Sequence, residues 1–285
     1  MSETQVLTNY INNLRNYLNK NSINEACSKQ IEFFLSKKFT FITNLTFKRE
    51  IDFFQRVTVN SRVNEGKEIR IIDIDKLKYP PNGATKNGRA NLIGEKILYG
   101  TDNIITALKE ARVKENELIT ISTWKLKTNN ALTFTPIFKN FPEKSDVINI
   151  DFFKLHLEYK NKLKEFDKNM QEQIDIFVQF LTDCFTKEVE NTNQYDYFLS
   201  SFYANRLFNF LQNGEIDAIL YPSVEEDLVT TNIAMKHNVF DDNYELFEVE
   251  EKIVIKAPSG ENSYCELTPL SSSKAFINGK IIWHD

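Results

Sequence analysis

Four of the chain's eight glycines fall between Gly83 and Gly100, and two of its seven prolines, Pro80 and Pro81, stand just before them. In a chain this poor in glycine, such a concentration marks backbone that must turn tightly and hold a shape. The stretch 79–110 reads YPPNGATKNGRANLIGEKILYGTDNIITALKE. It runs from a shaped loop into an apolar strand at 96–99, then a turn at Gly100-Thr101-Asp102, then a short amphipathic helix. Ile104, Ala107, Leu108 and Ala111 recur at helical spacing, and Asp102 or Thr101 suits the N-cap. Glu110 falls about a quarter-turn or more off that apolar stripe, on the helix flank where a carboxylate can line a cleft. The alternative is a solvated i,i+4 pair with Lys114.

Around this centre the remaining pattern is mixed. Leu7, Tyr10, Ile11, Leu14 and Leu18 make an apolar helical stripe, and Ser22-Ile-Asn-Glu25 is a capping box opening a second helix. The strand at 53–59 alternates, with Gln55, Val57 and Val59 on one face and Phe54, Arg56 and Thr58 on the other. Arg56 is therefore a guanidinium in mid-strand, paired with an acid or facing an anionic ligand. A short strand is expected at 69–74 and another at 118–124. The patch 131–141, interrupted by Pro136, reads as irregular or edge structure. Helical stripes follow over 152–190 and 197–211, the latter stopped by Asn213-Gly214. A buried strand at 216–221 ends at Pro222 with Ser223 at its mouth. Phe247, Val249, Ile253 and Ile255 alternate, and Asn278-Gly279 between apolar pairs signals a hairpin. The expected class is α+β, with a helical extension at 1–48, a core at 49–245 and C-terminal strands at 246–285 packed on that core.

Composition narrows the function classes. A formal net charge of -5 gives no overall basic surface, so a nucleic-acid partner is not expected. No apolar run reaches the roughly 18 residues of a membrane span, and the polar N-terminus lacks a signal-peptide core. Cys27, Cys184 and Cys265 are odd in number and far apart, which indicates neither a disulfide framework nor a zinc site and fits a reducing cytoplasm. Gly83 and Gly88 have P-loop spacing, but Arg89-Ala90 stands where Lys-Ser/Thr is required. His156, His237 and His284 are scattered, and no HExxH, GxSxG or GxGxxG occurs. No metal is expected.

Taken in order, FFQRV around Arg56, YPP…GRAN…LYG…TALKE ending at Glu110, and GEIDAILYPS ending at Ser223, with Asn232 shortly after, resemble the RES domain family. That family is named for an Arg, a Glu and a Ser in this order, and the resemblance covers about 56–232. It implies a sheet core resembling that of the ADP-ribosyltransferases and an activity on NAD as substrate. The nicotinamide–ribose bond would be cleaved with phosphate or water as acceptor; transfer to a macromolecule and a non-catalytic binding protein are the alternatives. It further implies a bacterial toxin, paired with an antitoxin carrying a helix-turn-helix, with a homodimer as a further possibility.

The residue chemistry fits such a reaction. Cleavage of an N-glycosidic bond passes through an oxocarbenium-like state that a carboxylate favours, which assigns Glu110. A pyrophosphate matches an arginine fork, which assigns Arg56 first and Arg89 second. Ser223 would orient the ribose, since no histidine stands in a motif that would activate it as a nucleophile. Tyr79 and Tyr99 would stack on a base or pack in the core. Asn91 and Asn232 complete the expected binding set, with Gly88, Arg89 and Asn91 also shaping the loop.

Overall fold

The computed structural model describes residues 1–20, 28–32, 45–127, 130–138, 152–187, 197–209, 214–223, 230–258 and 264–284. The Ser22–Glu25 capping box lies outside them.

The described chain is α+β, built on one large mixed sheet. Its strands are β1 (Phe47–Arg49), β2 (Phe53–Val59), β3 (Ile97–Thr101), β4 (Leu118–Leu126), β5 (Leu132–Pro136), β6 (Ala218–Pro222), β7 (Thr231–Lys236), β8 (Tyr244–Lys256) and β9 (Glu266–Ser273). They lie in the order β1-β5-β6-β7-β3-β2-β4-β8-β9. All pairs are antiparallel except β5 with β6. The helices with both ends described are α1 (Glu3–Lys20), α2 (Asn60–Val63), α3 (Ile104–Glu110), α4 (Phe152–Leu163), α5 (Lys168–Phe185), α6 (Phe198–Asn209) and α7 (His237–Asn243), and residues 28–32 are helical as well.

Strand alternation sorts the apolar residues into layers. Phe54, Leu98, Leu220, Ile233 and Met235 point to one face. They form a core with Leu155, Tyr159 and Leu163 of α4 and Phe240 of α7. The opposite face carries two separate clusters. Over β3, β7 and β6, Ile97, Ile219 and Ala234 pack with Phe177, Phe180 and Leu181 of α5, Phe202 of α6 and Ile11 of α1. Over β2 and β4, Val57, Val59, Ile119 and Ile121 pack beneath Ala107 and Leu108 of α3. Truncating a fully buried aromatic such as Phe54 costs roughly 3–5 kcal/mol.

Several sequence expectations change in three dimensions. The stretch 69–74 is not a strand: only an isolated bridge at Asp73 and a 3-10 turn, Ile74–Leu77, form there. Ile69 and Ile72 are exposed while Ile71 is buried, so the apolar run has no alternating pattern to support a ladder. β5 is an interior strand between β1 and β6. Pro136 is tolerated because it is the last residue, beyond the reach of β1, which pairs only with Leu132–Phe134. The helical pattern over 152–190 breaks after Leu163 and restarts at Asp167, whose side chain accepts from the Met170 N–H at 2.9 Å.

β8 pairs with β4 from Tyr244 to Ile253 and extends the sheet edgewise. A bulge opposite Thr123 and Trp124 shifts the β8 alternation, leaving Phe247 exposed while Leu246 and Val249 point inward. The Asn278-Gly279 hairpin is present: both residues have positive φ, 50° and 74°, between β10 (Phe276–Ile277) and β11 (Lys280–Ile281).

Candidate active site

The sheet is seamed unevenly. β2 pairs with β4 over seven consecutive positions, from Phe53↔Lys125 to Val59↔Ile119, but meets β3 only at Gln55↔Thr101. The contact there is close, since a Cβ on Gly100 would lie 2.5 Å from a ring carbon of Phe54. Beyond that point β2 and β3 part. A cavity of about 360 Å³ opens in the split, roofed by α3 and bordered by the loop before β3.

Glu110 is the last residue of α3. The N-cap of that helix is Asn103, not Asp102 or Thr101: its Oδ1 accepts from the Ile105 and Thr106 amides at 2.8 and 3.2 Å. Because the helix stops at Glu110, no i,i+4 geometry with Lys114 exists. The carboxylate turns inward, and its Oε1 accepts from the Ser223 hydroxyl at 2.7 Å and from Asn232 Nδ2 at 2.6 Å. Ser223 lies just past β6 and Asn232 on β7, both nearly or wholly buried. Two neutral donors therefore fix one carboxylate oxygen without compensating its charge. Among the described residues no hydrogen bond to Oε2 and no ion pair to Glu110 is found.

Arg56 lines the same cavity from β2. Strand parity assigns it to the Phe54 face, but the split lets its guanidinium enter the opening. Its Nη1 donates to the Tyr99 carbonyl at 3.0 Å, supplying a donor where the β2–β3 ladder lacks one. Its Nε is buried without a hydrogen-bond partner, as is the hydroxyl of Thr58 two residues along the same strand face. Of the two possibilities for Arg56, acid pairing is not found among the described residues. Burial pushes the guanidinium below its ordinary value, with the neighbouring Tyr99 acting in the opposite sense.

The GRAN segment proves architectural. Gly88 is required because an added Cβ would meet Asn91 Oδ1 at 2.3 Å and the Tyr99 hydroxyl at 2.9 Å. The Tyr99 hydroxyl accepts from the Ala90 amide and donates to Asn91 Oδ1, both at 2.8 Å. Asn91 in turn donates to the carbonyls of Lys86 and Leu92. Arg89 lines the cavity, yet its Nη1 donates to the carbonyls of Phe185 and Lys187 at 2.6 and 3.0 Å. It thereby satisfies the C-terminus of α5, where a cation is also favoured by the helix dipole, and it lies 4.9 Å from the Tyr197 ring centroid.

Arg56, Glu110, Arg89, Tyr99 and Asn232 thus share one cavity, with Ser223 directly behind Glu110. Tyr79 is not among the lining residues. It stands against His237 and Phe240 of α7 and donates a hydrogen bond to Asp241. Sequence reasoning did not select Thr58, Tyr197 or Tyr221, all of which line the cavity. Period two was the available signal, since Thr58 follows Arg56, and Tyr221 precedes Ser223, by two residues. Among the described residues no His, Cys, Asp and Glu gather as a metal site, and no helix is long and apolar enough to cross a membrane.

No protein-family model matches the chain, and no curated protein matches it closely enough to show a family.

Proposed function

We propose that the chain degrades NAD by breaking the nicotinamide–ribose bond, with phosphate or water as acceptor. The observation that carries the reading is the Glu110 carboxylate, fixed on one oxygen by Ser223 and Asn232 and lining a cavity that Arg56 also lines. As the glycosidic bond breaks, positive charge develops at the ribose anomeric carbon, and a preorganised carboxylate steadies it with little rearrangement. Arg56 supplies a fork suited to the pyrophosphate oxygens. Ser223 and Asn232 act through Glu110 as positioning residues. The same proposal holds that the mixed sheet is of ADP-ribosyltransferase type and that the protein is a toxin of the cytoplasm, countered by an antitoxin.

The test is to incubate the purified chain with NAD, with and without inorganic phosphate, and to identify products by mass. Nicotinamide should appear together with ADP-ribose, or with its 1″-phosphate when phosphate is the acceptor. Intact NAD after prolonged incubation with folded protein rejects the reading. Adduct mass on the protein itself would instead indicate transfer to a macromolecule.

A further inference from the structure

Tyr221 is the cavity residue whose chemistry is least explained by the fold. It lies on β6, a strand buried at every position, between β5 and β7. Its ladder partner is Asn232, and Asn232 in turn pairs with Thr101, which pairs with Gln55. Directly paired residues share a face, so Tyr221, Asn232, Thr101 and Gln55 form one row across four strands. All four line the cavity. Asn232, beside Tyr221, is the residue that grips Glu110 Oε1.

The two tyrosines of this face differ in how their hydroxyls are used. Tyr99 has its hydroxyl fully engaged, accepting from the Ala90 amide and donating to Asn91. Tyr221 is 3% exposed, its ring packs 5.4 Å from that of Phe185, and no described group hydrogen-bonds its hydroxyl. A buried phenol normally finds a partner. This hydroxyl is not sealed in the core either, because its residue forms part of the cavity wall.

We propose that Tyr221 is a specificity-determining residue that hydrogen-bonds a hydroxyl of the ribose attached to the leaving base, alongside Glu110 Oε2. The inference rests on the NAD reading and deepens it. A cis-diol presents two adjacent groups that each donate and accept. The free oxygen of Glu110 can only accept, and the phenol can donate or accept, so together they suit a diol better than either alone. Burial and the nearby Glu110 charge raise the phenol well above its ordinary value, so it remains a donor throughout the working range. A base carrying a sugar that lacks the contacted hydroxyl would leave the buried phenol unpaired, which is how a polar site rejects close analogues.

The test is Tyr221→Phe, which deletes only the unpartnered hydroxyl and retains the ring packed on Phe185. Because the fold makes no use of that hydroxyl, the unfolding temperature should stay at the wild-type value, whereas a structural role would lower it. The kcat/KM for NAD should fall about five- to tenfold, the size of one neutral hydrogen bond. Turnover is then compared for NAD analogues lacking the 2′- or the 3′-hydroxyl of the nicotinamide ribose. For one of the two, wild type and variant should be equal. Wild-type kcat/KM on NAD, the same loss on all three substrates, or a lowered unfolding temperature would each overturn the assignment while leaving the NAD reading standing. Absence of both NAD turnover and calorimetric NAD binding in the wild-type chain would overturn the NAD reading and this assignment with it.

Discussion

Replacing Glu110 with Gln isolates charge from shape. Oε1 of Glu110 accepts two hydrogen bonds, at 2.7 and 2.6 Å. A glutamine amide must therefore place its oxygen there, because the flipped orientation would set an NH₂ group against two donors. The side chain keeps its position, and the fold should keep its stability. What changes is the atom facing the cavity, from a carboxylate oxygen to an uncharged NH₂. Two unit charges about 4 Å apart interact by roughly 4 kcal/mol at an effective dielectric of about 20. Removing one preorganised electrostatic contact at a developing charge typically costs about 10²–10³ in rate, and the two scales agree. Glu110→Gln should thus lower the single-turnover rate of NAD cleavage by about 10²–10³-fold. Calorimetric affinity for NAD should change far less, since the anomeric carbon gains its positive character only as the bond breaks. Cleavage at the wild-type rate by a variant that unfolds at the wild-type temperature would show that the Glu110 charge has no part in bond breaking.

Other variants probe the remaining walls. Arg56→Lys keeps the charge but loses the planar fork and its bond to the Tyr99 carbonyl; NAD affinity should weaken roughly tenfold or more by calorimetry, and unchanged affinity would remove Arg56 from the binding site. Ser223→Ala and Asn232→Ala each leave Glu110 Oε1 with one donor, so each should lower kcat several-fold. Their effects should be non-additive, because both act on the same oxygen, and additive losses in the double variant would separate them. Tyr79→Phe should leave turnover unchanged while lowering stability by about 1–3 kcal/mol in denaturant unfolding, since Asp241 loses its phenolic donor. A loss of turnover without a loss of stability would return Tyr79 to the site.

What could be read from residues alone was set by local geometry. Period two placed Arg56 off the Val57 face, and the helical period placed Glu110 off the apolar stripe, because both depend only on backbone repeat. Ser223 was legible as the residue just beyond a buried strand. Its function as a hydrogen-bond donor to Glu110 was not, since that depends on a contact across more than a hundred positions. Nor does alternation reveal where neighbouring strands part, and so the β2–β3 split could not be inferred. Tyr79 carries aromatic surface at the start of the glycine-rich loop, but the loop turns back at Gly83 and leaves it against α7. Tyr221 looked like one more apolar core residue in a strand buried at every position. Its pairing with Asn232 places it at the site.

The central claim is that one cavity positions the scissile ribose of NAD at Glu110 and its pyrophosphate at Arg56. A crystal structure of Glu110→Gln soaked with NAD tests it most directly. The nicotinamide ribose should lie beside residue 110, with a ribose hydroxyl near Tyr221 and a phosphate oxygen on the Arg56 guanidinium. NAD bound outside the β2–β3 split, or lying in it with the adenine end toward residue 110, would remove Glu110 and Arg56 from these roles.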